Sequence, residues 1–113
     1  MPENCLFCKM VAGDIKPDIV FENDRILAFN DIAPQAPIHI LIIPKKHFST
    51  LNEMDDSLLL GELMQTAAHL AKELKVADTG YRTVINCNQQ GGQAVYHLHV
   101  HLLAGRQMTW PAG

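Results

Sequence analysis

The sequence predicts an α+β fold: a five-stranded, mainly antiparallel sheet with one long helix and one short one. Three observations predict it. Residues 97–103 alternate imidazole and aliphatic side chains with a strict period of two, the pattern of a half-buried strand. Residues 39–43 are an apolar, β-branched run that stops at Pro44, which fits a buried central strand. Residues 57–75 repeat Leu, Met and Ala at helical spacing over a length no strand reaches. With 113 residues the chain can build one core and not two, so residues 1–113 are expected to form a single domain.

Residues 4–12 read as a short helix in which Leu6, Met10 and Val11 supply the apolar spacing and Phe7 lies on a flank. Gly13 and Asp14 break it, and Pro17 marks the turn that follows. Residues 19–21 and 26–29 are β-rich runs separated by Glu22, Asn23 and Asp24, which predicts a hairpin. Residues 31–37 carry two prolines and form a rigid loop before the central strand. Residues 45–56 connect to the long helix, with room for a helical turn; Ser57 is placed as its cap, with Asp55 and Asp56 beside its positive end. On that helix Leu59, Leu60, Leu63, Met64, Ala67, Leu70, Ala71 and Leu74 cover nearly half the circumference, wider than a usual stripe of about 100°. Deep packing on the sheet explains this, as does a second subunit. His69 falls in the polar sector. Residues 81–87 are a further strand, residues 88–92 a turn, and residues 97–103 the histidine strand.

Composition excludes several classes of function. The chain is 48% hydrophobic and 19% charged with a formal net charge of −3, and no basic run exceeds Lys45–Lys46. That argues against a polynucleotide partner while leaving room for a single nucleotide. No apolar stretch approaches the roughly 18 residues of a membrane span, and no basic-then-apolar leader opens the chain, so neither a membrane partner nor secretion is expected. Cys5, Cys8 and Cys87 are an odd number, two of them close in sequence, which favours a reducing cytoplasm over a disulfide framework.

The candidate chemistry centres on His97, His99 and His101. On a strand their rings share one face while Leu98, Val100 and Leu102 fill the other. Same-face neighbours lie roughly 6.5–7 Å apart, so two of the rings can converge on one ion and all three cannot. The row suits a substrate lying along the strand, each ring meeting a different atom, with imidazole able to act as nucleophile, base or acid near neutral pH. Just upstream, Gly91–Gly92–Gln93 predicts a turn whose free N–H groups can cradle a phosphate. Cys5-x2-Cys8 is half of a common zinc site, with His39, His47 and one of the three strand histidines as candidates for the rest; the plain alternative is two core cysteines on a short helix. Cys87 reads as a small buried hydrophobe on an inner strand. Asp31, at the start of the rigid loop, is placed as a turn cap ahead of a ribose ligand.

Taken together these residues resemble the histidine-triad (HIT) family, whose motif alternates three histidines with apolar residues, and within it the histidine-triad nucleotide-binding (HINT) branch. The resemblance runs through Leu27–Ala28–Phe29, Asp31–Ile32, Pro34–Gln35–Ala36–Pro37, His39, Ile43–Pro44–Lys45–Lys46–His47, Gly91–Gly92–Gln93, Tyr96–His97, and a tail of Gly105–Arg106–Gln107–Met108 with Trp110–Pro111. It implies a homodimer with a ten-stranded sheet shared between subunits. It implies hydrolysis of purine nucleoside 5′-phosphoramidates to the nucleoside monophosphate and an amine, with His99 as nucleophile on phosphorus and His101 toward the phosphate and leaving group. By the same resemblance Asn86, Gly92, Gln93 and Ala94 border the phosphate and nucleoside, and Asp31 meets the ribose. Leu6, Phe7, Met10, Ile15, Phe29 and Ile32 line the base pocket, and Trp110 reaches across the dimer. A structural zinc is implied on Cys5, Cys8, His47 and His97. Ala94 stands where many members have Ser, which removes one hydroxyl from the phosphate; Asn30 replaces a residue that is often basic. The alternatives on the same scaffold are a dinucleoside polyphosphate or adenylated-adduct hydrolase, and a non-enzymatic nucleotide-binding or interaction module. For the nucleophile to work, one ring nitrogen of His99 must donate to a fixed acceptor, for which a backbone carbonyl, that of His97 among them, is expected.

Overall fold

Two clusters of buried side chains, one on each face of a single sheet, give it two unequal covers. The computed structural model describes residues 4–113. In chain order it contains α1 (Leu6–Ala12), β1 (Ile19–Glu22), β2 (Ile26–Asn30), β3 (Ile38–Pro44), a 3-10 turn (Leu51–Glu53), α2 (Ser57–Glu73), β4 (Tyr81–Val84), α3 (Asn88–Gly91) and β5 (Val100–Ala104). All strand pairs are antiparallel, in the order β1-β2-β3-β5-β4, so β3 is central, as its apolar run predicts.

One face is covered by α2. Ile26, Ala28, Ile40, Ile42, Leu98, Val100 and Leu102 meet Leu59, Leu63, Ala67 and Leu70 there. Met64 and Leu74 remain exposed, so packing on the sheet does not account for the whole apolar stripe. The cap of α2 is Asp56, whose carboxylate accepts the Leu59 N–H at 3.0 Å; Ser57 is the first helical residue instead. Arg25 pairs with both Asp56 and Glu62 and so ties the start of β2 to this helix.

The other face is covered by α1, through Cys5, Phe7 and Cys8 against Leu27, Phe29, Leu41 and Ile43. Phe7 is buried with Cys8 in α1 and Leu6 is 41% exposed, the reverse of the expected flank and face. The helix stops where Gly13 turns left-handed at φ 86°.

Two strands are shorter than expected. β4 ends at Val84, and Cys87 caps α3 as a half-buried residue beyond an edge strand. β5 begins at Val100, leaving His97 and His99 in a bend before it. The register explains this: Ile42 pairs with Val100, so, two rungs on, Pro44 would face Leu98, and proline has no N–H to give the ladder. The Leu98 N–H turns to the Phe48 carbonyl at 2.7 Å. Alternation survives the bend, for Leu98 packs with Val100 and Leu102 under α2.

Candidate functional site

β3 and β5 pair Leu41 with His101 and His39 with Leu103, which puts His39 and His101 on the α1 face. His97 and His99 arrive on that side through the bend, and Phe7 holds both rings from below. Its ring meets His99 edge-on at 5.2 Å and His97 at 5.9 Å.

Each of the three histidines has one nitrogen committed, and the commitment fixes the other. His97 Nε2–H donates to the Pro44 carbonyl at 2.8 Å, leaving Nδ1 with a lone pair. His99 Nδ1–H donates to the His97 carbonyl at 2.7 Å, the acceptor expected, leaving a lone pair on Nε2. No hydrogen bond among the described residues engages that Nε2, and the residue keeps 7% of its surface open. His101 Nδ1 lies 2.9 Å from His39 Nε2, and its own Nε2 is buried without a partner among the described residues.

His39 decides which way that last pair points. Its Nδ1 accepts the Gln35 N–H at 3.0 Å, so its proton sits on Nε2. That proton donates to His101 Nδ1, with the Asp31 carboxylate 3.5 Å away on the same nitrogen. His101 is therefore neutral with its proton on Nε2, an unspent donor beside the unspent acceptor of His99; the two rings lie 4.9 Å apart. Asp31, His39 and His101 are close enough to be considered as metal ligands. The Gln35 amide argues against it, since a metal on His39 Nε2 would need the proton on Nδ1. Burial holds all these rings neutral. It pushes His101 down to about 4, helped by His99 and His39 and opposed by Asp31, and it lowers His99 and His39 as well.

The second cluster is Cys5, Cys8, His47 and His97. Cys5 Sγ lies 3.6 Å from His47 Nδ1 and 3.4 Å from His97 Nδ1. Cys8 Sγ lies 3.2 and 3.4 Å from the same atoms, and the two nitrogens are 3.2 Å apart. A tetrahedral ion with donors at about 2.0–2.3 Å has edges of about 3.3–3.8 Å, which these distances match. His97 Nδ1 offers a lone pair, and His47 does likewise when its Nε2–H donates to Ser49 Oγ, 3.1 Å away. Burial and the neighbouring Cys5 push the Cys8 thiol up to about 11, and burial holds His97 at about 4. A cation reverses the first penalty and uses the neutral ring the second provides. The four residues could hold a metal ion with no position left open.

The remaining predicted residues are scattered by role. Gly92 N–H and Gln93 N–H close the end of α3 on Gln89 and Asn88, so the expected free cradle at Gly91–Gly92–Gln93 does not form. Gln93 spends its side chain on Asn88 N–H and on the Ser49 and Val95 carbonyls. The next N–H groups, of Ala94 and Val95, have no partner among the described residues. Asn86 is half-buried beside α3. Asp31 Oδ1 accepts the Ala33 N–H at 2.8 Å, the turn cap expected. Phe29 is buried against Phe7, whereas Ile15 is exposed, Ile32 is 98% exposed and Trp110 84%. Met10 is partly buried on the α1 core. His69 is on the surface with Glu73 at 3.1 Å. Of the residues that organise the site, Gln35, Pro44 and Ser49 act through backbone or hydroxyl and leave no sign in spacing. The sequence offers His39 as a zinc donor, whereas in the structure it bonds His101.

The profile of the HIT domain family matches residues 12–108. The purine nucleoside phosphoramidase of Escherichia coli is 44% identical, over 96% of this chain and 92% of its own. A protein of Arabidopsis thaliana named adenylylsulfatase HINT1 is 46% identical, over 96% of this chain and 76% of its own. The crystal structure of a HIT family hydrolase from Legionella pneumophila superposes with a TM-score of 0.95 at 56% identity, covering 97% of this chain and 100% of that one.

Proposed function

Because the chain belongs to the HIT domain family, we propose that it hydrolyses purine nucleoside 5′-phosphoramidates to a nucleoside monophosphate and an amine through a nucleotidyl-His99 intermediate. The observation that carries this reading is the His99 ring, pinned through Nδ1–H to the His97 carbonyl with its Nε2 lone pair unspent. In the first step that lone pair attacks the α-phosphorus, a P–Nε2 bond forms and the P–N bond of the substrate breaks. The positive charge on the ring is then shared with the carbonyl that holds Nδ1–H. His101 Nε2–H faces the phosphate oxygens and the departing nitrogen, where its hydrogen bond stabilises negative charge while the amine leaves with a proton drawn from solvent. Water then attacks phosphorus and gives up a proton to solvent, replacing the one the amine took; the P–Nε2 bond breaks, and His99 is restored. The N–H groups of Ala94 and Val95 are the ones the turn still offers to the phosphate, beside Gly92 and Asn86. Asp31 meets the ribose, and exposed Leu6, Ile15 and Ile32 flank the base.

His97 has no nitrogen free for this chemistry. We assign it, with Cys5, Cys8 and His47, to a structural zinc that orders α1 beneath the nucleophile. The two thiolates fit a reducing, cytoplasmic compartment. We further propose a homodimer, with the exposed Trp110 reaching the partner's site and the β4 edges joining two sheets into one of ten strands. No described helix is long and apolar enough to cross a membrane.

The decisive assay compares the intact protein with His99→Ala on adenosine 5′-phosphoramidate. Turnover is expected to vanish in the variant while adenosine monophosphate still binds; a variant with near-normal rate removes His99 from the nucleophile's role. The name of the Arabidopsis relative favours a second substrate for the same attack, adenylyl sulfate. Side-by-side kcat/KM values on the two substrates separate the readings, and binding of the monophosphate with neither turnover points to a non-enzymatic nucleotide-binding module. Metal analysis of protein purified without chelator is expected to find one zinc per chain.

A further inference from the structure

We propose that Arg106, in the chain just after β5, is a positioning residue for this reaction: through the Gln35 loop and His39 it keeps the proton of His101 on Nε2. The inference rests on the reading of His101 as the donor to the phosphate and leaving group, and deepens it.

Three hydrogen bonds run in one direction and end on an unspent donor. Arg106 Nε–H donates to the Gln35 carbonyl at 2.9 Å. Gln35 N–H donates to His39 Nδ1 at 3.0 Å. His39 Nε2–H donates to His101 Nδ1 at 2.9 Å. His101 Nε2–H is then left as a buried donor without a partner among the described residues, beside the nucleophile. Each ring accepts on one side and donates on the other, so the Gln35 amide sets every proton after it, and Arg106 acts by holding the Gln35 backbone in place.

Without the Gln35 amide, His39 is free to carry its proton on Nδ1. Its bare Nε2 would then face His101 Nδ1, and the pair could only bond if His101 moved its own proton there. That would leave His101 Nε2 a lone pair aimed at an anion, a repulsive contact where the reaction needs a donor. Asp31, 3.5 Å from His39 Nε2, favours the working tautomer independently, so the amide biases a balance and does not impose it alone.

Residues 31–37 are mostly exposed, so the position of the amide depends on what ties the loop down. Both ties come from the end of β5. One is the Arg106 bond. The other is Gly105, at φ +93°, packed so close that a Cβ there would lie 2.9 Å from Pro37 Cβ. The strand that delivers His101 therefore also holds the loop that sets its proton.

The test uses the full chain as wild type, Arg106→Ala and Arg106→Lys. Long-range proton–nitrogen spectra of the imidazoles report which nitrogen of His39 and His101 carries the proton, without any turnover. Arg106→Ala is expected to put the second tautomer into His39 and His101 and to lower kcat about 3- to 10-fold, the value of one hydrogen bond, with KM changed less than about twofold. Arg106→Lys, which can still donate to the Gln35 carbonyl, should recover most of both. Unchanged tautomers in Arg106→Ala overturn the proposal whatever the activity, as does a shifted tautomer with kcat untouched. If the wild type turns over no substrate, the reading of the reaction fails, and the spectra alone decide the latch.

Discussion

The three histidines of one alternating run end in three different states because each ring meets a different partner: the Pro44 carbonyl for His97, the His97 carbonyl for His99, and the His39 Nε2–H donor for His101. Period-two spacing made their shared side legible. It could not reveal their tautomers, which depend on Pro44, 53 positions from His97, and His39, 62 from His101. Phe7 shows the same limit. The family resemblance implies a base-pocket wall for it, and spacing does not show that its ring also packs under His99 and His97. Ala94 offers a test at this scale. It is exposed at the end of the glycine turn, next to an N–H with no partner among the described residues. Ala94→Ser adds a hydroxyl there, and its hydrogen bond is expected to tighten adenosine monophosphate by about 0.5–1.5 kcal/mol, or roughly 2- to 12-fold in Kd by titration calorimetry. An unchanged Kd would mean that the phosphate does not reach this turn.

Among the elements, those defined by their own periodicity were legible: the long helix, the hairpin of β1 and β2, and central β3. Those whose limits are set by a partner were not. β5 starts late because Pro44 on the neighbouring strand has no donor for the ladder, and β4 stops at Val84 on the sheet edge. α1 is the element most dependent on chemistry outside itself. It has 7 residues, too few to be stable alone, and only Phe7 and Cys8 within it are buried. Cys5 and Cys8 bracket Phe7, so an ion on the four-residue cluster clips both ends of the buried stretch to His47 and His97. Stripping the metal, or Cys8→Ser, is expected to lower stability by about 2–4 kcal/mol, a fall of roughly 10–20 °C in Tm. Amide exchange should rise first in α1 and the bend at His97–His99. Equal exchange with and without chelator would return the cysteines to a plain packing role.

At the scale of the whole molecule, the α+β class follows from counting periodic segments. The strand order does not, because β5 enters between β3 and β4 through contacts no local pattern encodes. That insertion brings His39 from one strand against His101 from another, and so concentrates neutral imidazoles in one buried layer. The layer makes the fold sensitive to acid in a window set by histidine. Burial lowers His39, His47 and His99 and takes His97 and His101 to about 4, against 6.5 in the unfolded chain. Between those values the unfolded chain binds protons that the folded one refuses, so stability rises with pH there. It is complete above about 6.5, drains as pH falls below that, and levels off near 4, where the folded rings take their protons. His101 alone accounts for up to about 3 kcal/mol of this, at 1.36 kcal/mol per unit. Denaturant midpoints measured from pH 7.5 to 4.5 should fall through this window, well above the range in which ordinary carboxylates protonate. His101→Asn, which carries no titrating ring, should show a shallower slope than the wild type, even if its stability at pH 7.5 is lower. Parallel slopes in the two proteins would mean that folding does not depress His101, and that burial does not hold its ring neutral.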